Sequence, residues 1–164
     1  MTENRKSPPQ KGWAEDIEKM TTIEMAINEA MRLIAPVPAV LRTVNNDFSL
    51  NSGVVVPKGT QIVLDIFNMQ RRTQVWGEEA LKFNPELHFG PGANYHQYAF
   101  IPFTKGLRMC IGYRYAYNLM TIIIAKLFRN FELKTSAKLE DLEVKGTISI
   151  KLVEYPEITI RARQ

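Results

Sequence analysis

Residues 103–112 read FTKGLRMCIG and hold the single cysteine of the chain, Cys110. Two glycines bracket it, Gly106 and Gly112; Arg108 stands two positions before it, and Phe103 opens the stretch. From residue 111 to residue 130 the pattern becomes helical. Ile111, Tyr115, Ala116, Leu119, Met120, Ile123 and Leu127 recur as one broad apolar face, with Lys126 and Arg129 elsewhere. The reading is a glycine-marked loop that delivers its cysteine to the first turn of a mostly buried helix. A thiol there would feel the unpaired N–H groups at the helix start, which favour the thiolate. The glycines allow a tight turn and the close approach of a flat group. Arg108 offers forked donors suited to a carboxylate. Taken alone, a lone cysteine at a helix start is more often a small buried hydrophobe. A zinc site of Cys110, His88 and His96 has only three donors, at spacings of no common zinc module.

The rest of the chain bounds what such a loop can serve. At 164 residues, 45% hydrophobic and 23% charged, the composition is that of one soluble globular domain. One cysteine excludes an intrachain disulfide. The net charge of +4 comes without any basic tract interleaved with aromatics, which argues against nucleic acid as a partner. The opening MTENRKSPPQKGW is polar, and the longest apolar run, around TIIIA, is far short of a span. The expectation is a flexible leader over residues 1–14 and one domain over 15–164, with no anchor or secretion signal as written.

Within that domain, AEDIEKM (14–20) reads as a short helix. A stronger helix follows, with Ile23, Ile27, Ala30, Met31 and Ile34 as its apolar stripe. Thr21 with Glu24 has capping-box spacing, Met20 with Met25 has staple spacing, and Pro36 and Pro38 end the helix. AVLRTV, FSL, GVVV and QIVLDIF, separated by NND, NSG and PKGT, predict a small antiparallel sheet over 39–67. Residues 68–102 show little periodicity beyond a helical turn at NMQRR; a loop that long is usually functional. FELK, GTISIKL and EITIRA read as closing strands.

The segment Phe103-x-x-Gly106-x-Arg108-x-Cys110-x-Gly112 resembles the haem-binding signature of the cytochrome P450 superfamily at all of its fixed positions. The likeness extends along most of the chain. Glu29-x-x-Arg32 is similar to the Glu-x-x-Arg pair of the family's K helix; read without the resemblance it is a solvated surface pair of little worth. RLIAPVPAVLR is similar to the proline-bearing entry to the family's sheet. RRTQVWG and FNPELHF resemble the meander, and the strands after FRNFELK resemble the C-terminal hairpin. YAFIPF is similar to the insect, CYP4-like microsomal branch. One departure stands out. The family's Pro-Glu-Arg-Phe is here Pro85-Glu86-Leu87-His88-Phe89, one residue longer and without the arginine. His88 would then have to take the arginine's place beside Glu29 and Arg32.

The resemblance implies the C-terminal part of a mostly helical fold of α+β type: K helix, small sheet, meander, haem loop, L helix and hairpin. It implies haem b as cofactor, with Cys110 as the axial ligand of the iron. Phe103 would pack by the sulfur, Gly106 make the turn, Arg108 hold a propionate and Gly112 clear room for the ring, with Arg42 a second propionate partner. It further implies a monooxygenase that inserts one oxygen atom from O2 into a small hydrophobic substrate. Electrons would come from NADPH–cytochrome P450 reductase, with cytochrome b5 as a second donor, at the endoplasmic reticulum membrane. Lys105 and Arg114 flank the loop and can meet an acidic partner. The N-terminal anchor, the distal helix and its Ala/Gly-Gly-x-Asp/Glu-Thr motif have no counterpart here, and no catalytic group beyond the haem ligand can be named. A truncated, catalytically silent haem-binding or interaction remnant is the competing reading.

Overall fold

The computed structural model describes residues 19–163; the leader and most of the short helix expected at 14–20 lie outside the described residues. The architecture is α+β, two long helices with short helical turns and four two-stranded antiparallel ladders among the described residues.

Helix α1 spans Thr21–Leu33 and ends before Pro36, as the prolines require. Its start differs from the expected capping box. Met20 is the N-cap and no side chain caps the helix. Thr21 is already the first helical residue, so its hydroxyl sits one position too late for the free N–H groups. The same shift takes Met20 and Met25 out of staple register. Glu24 still lies in the first turn, where a negative charge suits the helix dipole. The buried face also differs: Ala30 is exposed, while Ile27, Glu29, Met31, Arg32 and Leu33 are buried.

After α1 the chain forms a hairpin within a hairpin. Strand β1 (Ala39–Thr43) pairs with β4 (Gln61–Asp65), and the shorter β2 (Phe48–Ser49) and β3 (Val55–Val56) pair between them. The expected single sheet is therefore two separate ladders. It also ends early, because the Asp65 carboxylate accepts from the Asn68 N–H and caps a helical turn, α2 (Ile66–Met69). Ile66 packs with Ala35 and Ile101 in one core cluster, supported by Val40 and Met69.

The aperiodic stretch holds two more one-turn helices, α3 (Thr73–Trp76) and α4 (Pro85–Phe89). Asn84 caps α4 through its side-chain oxygen, and Pro85 occupies the first turn, where its missing N–H costs nothing. A second core cluster of Trp76, Ala80 and Ala99, with Phe89, Tyr95 and Phe100 against it, fills the space between them.

Helix α5 runs Tyr113–Asn130 with Gly112 as N-cap, so it begins two residues later than the apolar pattern suggested. It is not the mostly buried helix expected. Ile111 is 102% exposed and Tyr115 73%, and Leu119 and Ile123 are exposed as well. Only Thr121 is fully buried on this helix. Of the apolar repeat, Ala116, Met120 and Leu127 are half-buried, while the Tyr115, Leu119 and Ile123 side stands bare among the described residues. At the end of the chain β5 (Phe131–Lys134) pairs with β8 (Thr159–Ala162), and β6 (Val144–Gly146) with β7 (Ile150–Leu152). GTISIKL is therefore a hairpin turn plus one strand rather than a single strand, with Ile148 exposed at its tip.

Candidate functional site

The Glu29–Arg32 pair has no solvent exposure at all, which overturns its reading as a solvated surface pair. One helical turn separates the two residues, so their side chains meet side by side. Arg32 Nε donates to Glu29 Oε2 at 2.7 Å and Nη2 to Oε1 at 2.9 Å. The remaining donors reach backbone carbonyls: Nη1 to Gln70 at 3.0 Å and Ala80 at 2.6 Å, Nη2 to Lys82 at 3.3 Å. Every guanidinium N–H therefore has a partner, and the Trp76 ring lies 4.9 Å from its carbon. One side chain thus ties α1 to three points of the aperiodic stretch, which accounts for that stretch being ordered without periodicity.

Glu29 is satisfied to the same degree. It also accepts from the Asn84 N–H at 2.9 Å and from His88 Nδ1 at 2.9 Å. Burial alone would push this carboxyl up, but the hydrogen bonds from Arg32, Asn84 and His88, with the Arg32 charge, hold it below its ordinary value. His88 is buried, with Trp76 edge-on to it at 5.6 Å. It thus sits beside both Glu29 and Arg32 despite the altered spacing of Pro85–Phe89.

The loop that follows is anchored by residues the sequence did not single out. Gln70 is fully buried; its amide donates to the Met31 carbonyl at 3.0 Å and its oxygen accepts from the Ile101 N–H at 3.0 Å. It thereby links the end of α1 to the residue two before Phe103. Arg71 donates to the Leu33 carbonyl at 2.6 Å, a cation at the C-terminal end of α1. The sequence placed both in the NMQRR turn, but nothing in that stretch marked either as an anchor of α1.

From Ile101 the backbone turns sharply. Thr104 and Gly106 both take positive φ, 61° and 79°, and a 3-10 turn follows at Gly106–Arg108. Glycine at 106 is demanded by that backbone angle. The loop closes through Cys110 N–H to the Phe103 carbonyl at 3.0 Å, and the Thr104 hydroxyl donates to the Arg108 carbonyl at 3.0 Å. Cys110 is exposed and free. It stands two residues before the N-cap of α5 rather than in the first turn, because the helix starts only at Tyr113. Its sulfur stays beside that helix end nonetheless: a Cβ on Gly112 would lie 3.9 Å from it, an ordinary contact.

Arg108 is exposed and its guanidinium has no partner among the described residues. Arg42 is half-buried on β1, and its only side-chain hydrogen bond among the described residues is to the neighbouring Leu41 carbonyl at 2.9 Å. Leu107 (107% exposed) and Ile111 stand out on either side of the cysteine. Lys105 donates to the Gln97 carbonyl and lies over the Tyr98 ring; Arg114 donates to the Tyr113 hydroxyl. Cys110, His88 and His96 do not come together, and no group of three metal-ligating side chains occurs among the described residues. His88 is held on Glu29, and His96 accepts from the Tyr98 N–H.

A buried Glu-x-x-Arg pair, an ordered meander and a free cysteine at the end of a glycine-turned loop are on one chain. The family description "Cytochrome P450" matches residues 4–157. The chain belongs to the cytochrome P450 family. Among curated relatives, probable cytochrome P450 313b1 of Drosophila melanogaster is 50% identical over 153 residues, which is 91% of this chain and 30% of the relative. Probable cytochrome P450 313a4 of the same species is 44% identical over 90% of this chain and 30% of its own length. Cytochrome P450 4g1, also from that species, is 32% identical over 91% of this chain and 27% of its length. The crystal structure of a cytochrome P450 (CYP102L1) superposes with a TM-score of 0.79 at 25% identity, covering 91% of this chain and 33% of that one. The P450 fold is thus established, and the chain spans about 30% of the length of the curated relatives it matches. No helix among the described residues is long and apolar enough to cross a membrane.

Proposed function

We propose that this chain carries the haem-ligand portion of a P450 monooxygenase, with Cys110 as the axial ligand of a haem b iron. The observation that carries the reading is the free, exposed Cys110 at the end of a loop closed by its own N–H, beside the start of α5. The donor set fits the group: one thiol for a metal centre, two guanidinium groups with no carboxylate partner among the described residues, and flanking apolar side chains for a flat apolar ring. In that role Arg108 and Arg42 would each hold a propionate, Leu107 and Ile111 would be covered on binding, and Phe103 would fix the loop. Gly106 serves the turn and Gly112 would clear room for the ring. When bound, a haem held by a cysteine thiolate supplies activation of O2 for oxygen insertion into a C–H bond.

Glu29, Arg32 and His88 act at a distance, holding the meander and so the loop. The reductant would be NADPH–cytochrome P450 reductase, with cytochrome b5 as a second donor, and the substrate a small hydrophobic molecule. The endoplasmic reticulum membrane is the location this reading implies. The competing reading, a catalytically silent haem-binding or interaction product, draws on the exposed Tyr115, Leu119 and Ile123 of α5.

The test is reconstitution with haem, reduction, and addition of carbon monoxide. The wild-type chain is expected to give the red-shifted Soret band of a thiolate complex, and Cys110→Ser to lose it. Identical spectra from the two proteins would end the haem-thiolate reading. A thiolate band together with no turnover of any substrate, with reductase present, would favour the silent product.

A further inference from the structure

Besides Gln70 before it and Lys105 within it, the cysteine loop is seated on α5 through Tyr117. Phe103, whose carbonyl closes the loop on the Cys110 N–H, packs its ring against Tyr117 with centroids 5.4 Å apart. The Tyr117 hydroxyl in turn donates to Asn28 Oδ1 at 2.6 Å. Asn28 is on α1, immediately before Glu29. A short chain of contacts therefore runs from the buried ion-pair helix through Asn28, Tyr117 and Phe103 to Cys110. A cavity of about 400 Å³ opens between Tyr95, Phe100, Phe103, Met109, Tyr113 and Tyr117, so the inner side of the loop is loosely filled. Burial, with the Glu24 carboxylate and Tyr95 nearby, pushes the Tyr117 phenol well above its ordinary value, so its proton stays on the oxygen.

We propose that Tyr117 is the positioning residue of the cysteine loop, setting through Asn28 and Phe103 where the Cys110 sulfur stands relative to α1. The claim rests on the haem-thiolate reading only for what the sulfur binds; the positioning itself is a property of the haem-free chain. It can be measured there because Cys110 is the single cysteine and is exposed. A nitroxide attached to Cys110 reports loop mobility by electron paramagnetic resonance.

Tyr117→Phe removes one oxygen and keeps the ring. It is expected to raise the mobile fraction of the label about fivefold, the population change for one net hydrogen bond. Asn28→Ala should do the same from the other helix. The double variant should go no further than either single one, since both remove the same bond. Thr121→Ala, at the buried position one turn along α5, serves as the control and should leave the label unchanged. An unchanged spectrum in Tyr117→Phe and Asn28→Ala overturns the proposal. So does an equal gain in Thr121→Ala, which would make the effect a general loosening of α5. With haem loaded, the same two variants should broaden the thiolate Soret band. Failure of haem to bind at all would count against the functional reading and leave the label result standing.

Discussion

Replacing Arg32 with methionine probes the element on which the ordered loop depends. The substitution keeps an unbranched chain of similar length and removes all the guanidinium donors. The Gln70, Ala80 and Lys82 carbonyls lose their partner, and Glu29 keeps only the Asn84 N–H and His88. A charge of zero exposure is left without its counter-ion. Breaking such a pair from one side costs about 3–5 kcal/mol, a large share of the roughly 5–15 kcal/mol of a typical domain. With a urea slope near 2 kcal/mol per molar, the unfolding midpoint should fall by about 2 M. Far-UV circular dichroism through a urea series measures it. The double variant Glu29→Leu/Arg32→Met removes both charges together and should recover at least about 1 kcal/mol relative to Arg32→Met, a coupling that a surface pair would not show. A midpoint shift below about 0.5 M in Arg32→Met, with no recovery in the double variant, would refute the buried-pair account.

Three further outcomes follow from the same geometry. Because Glu29 is held below its ordinary value of about 4.3, its contribution is present above that value and lost as pH falls through the folded-state one. Urea midpoints of wild type should therefore drop on acidification below about pH 4.3, and Glu29→Gln should be lower at neutral pH with a flatter acid limb. Gly106→Ala places a Cβ at φ 79° and should cost about 1 kcal/mol in thermal or urea unfolding; no loss would mean the loop has another conformation. Charge reversal at Lys105 and Arg114 should slow reduction of the haem-loaded protein by reductase, most at low salt. Unchanged reduction rates across a salt series would remove these residues from the docking face.

Much of the site could be read from residues whose chemistry is unusual for their setting. A single cysteine between glycines, after an arginine and an aromatic, has few ordinary uses, and Glu29-x-x-Arg32 lies on one side of a periodic helix. Burial was less legible. Apolar periodicity assigns charged residues to solvent, so it put Ala30 inside and the ion pair outside, the reverse of the structure. It also marked Ile111 and the Tyr115–Leu119–Ile123 row of α5 as core, although all four are exposed. Periodicity reports which surface is apolar, not whether the chain at hand supplies the covering layer. Gln70 and Asn84 were invisible for another reason: each acts through one or two long-range hydrogen bonds from a segment with no repeat to betray its direction, while Tyr117 sits on a periodic helix but off its apolar stripe.

The central claim is that Cys110 ligates a haem iron, and X-ray absorption at the iron edge tests it most directly. For the haem-loaded chain, the extended fine structure should require one sulfur scatterer in addition to the ring nitrogens, and Cys110→Ser should lose it. Wild type with no sulfur shell would contradict the account. So would a sulfur shell that survives in Cys110→Ser, since it could then come only from one of the seven methionines.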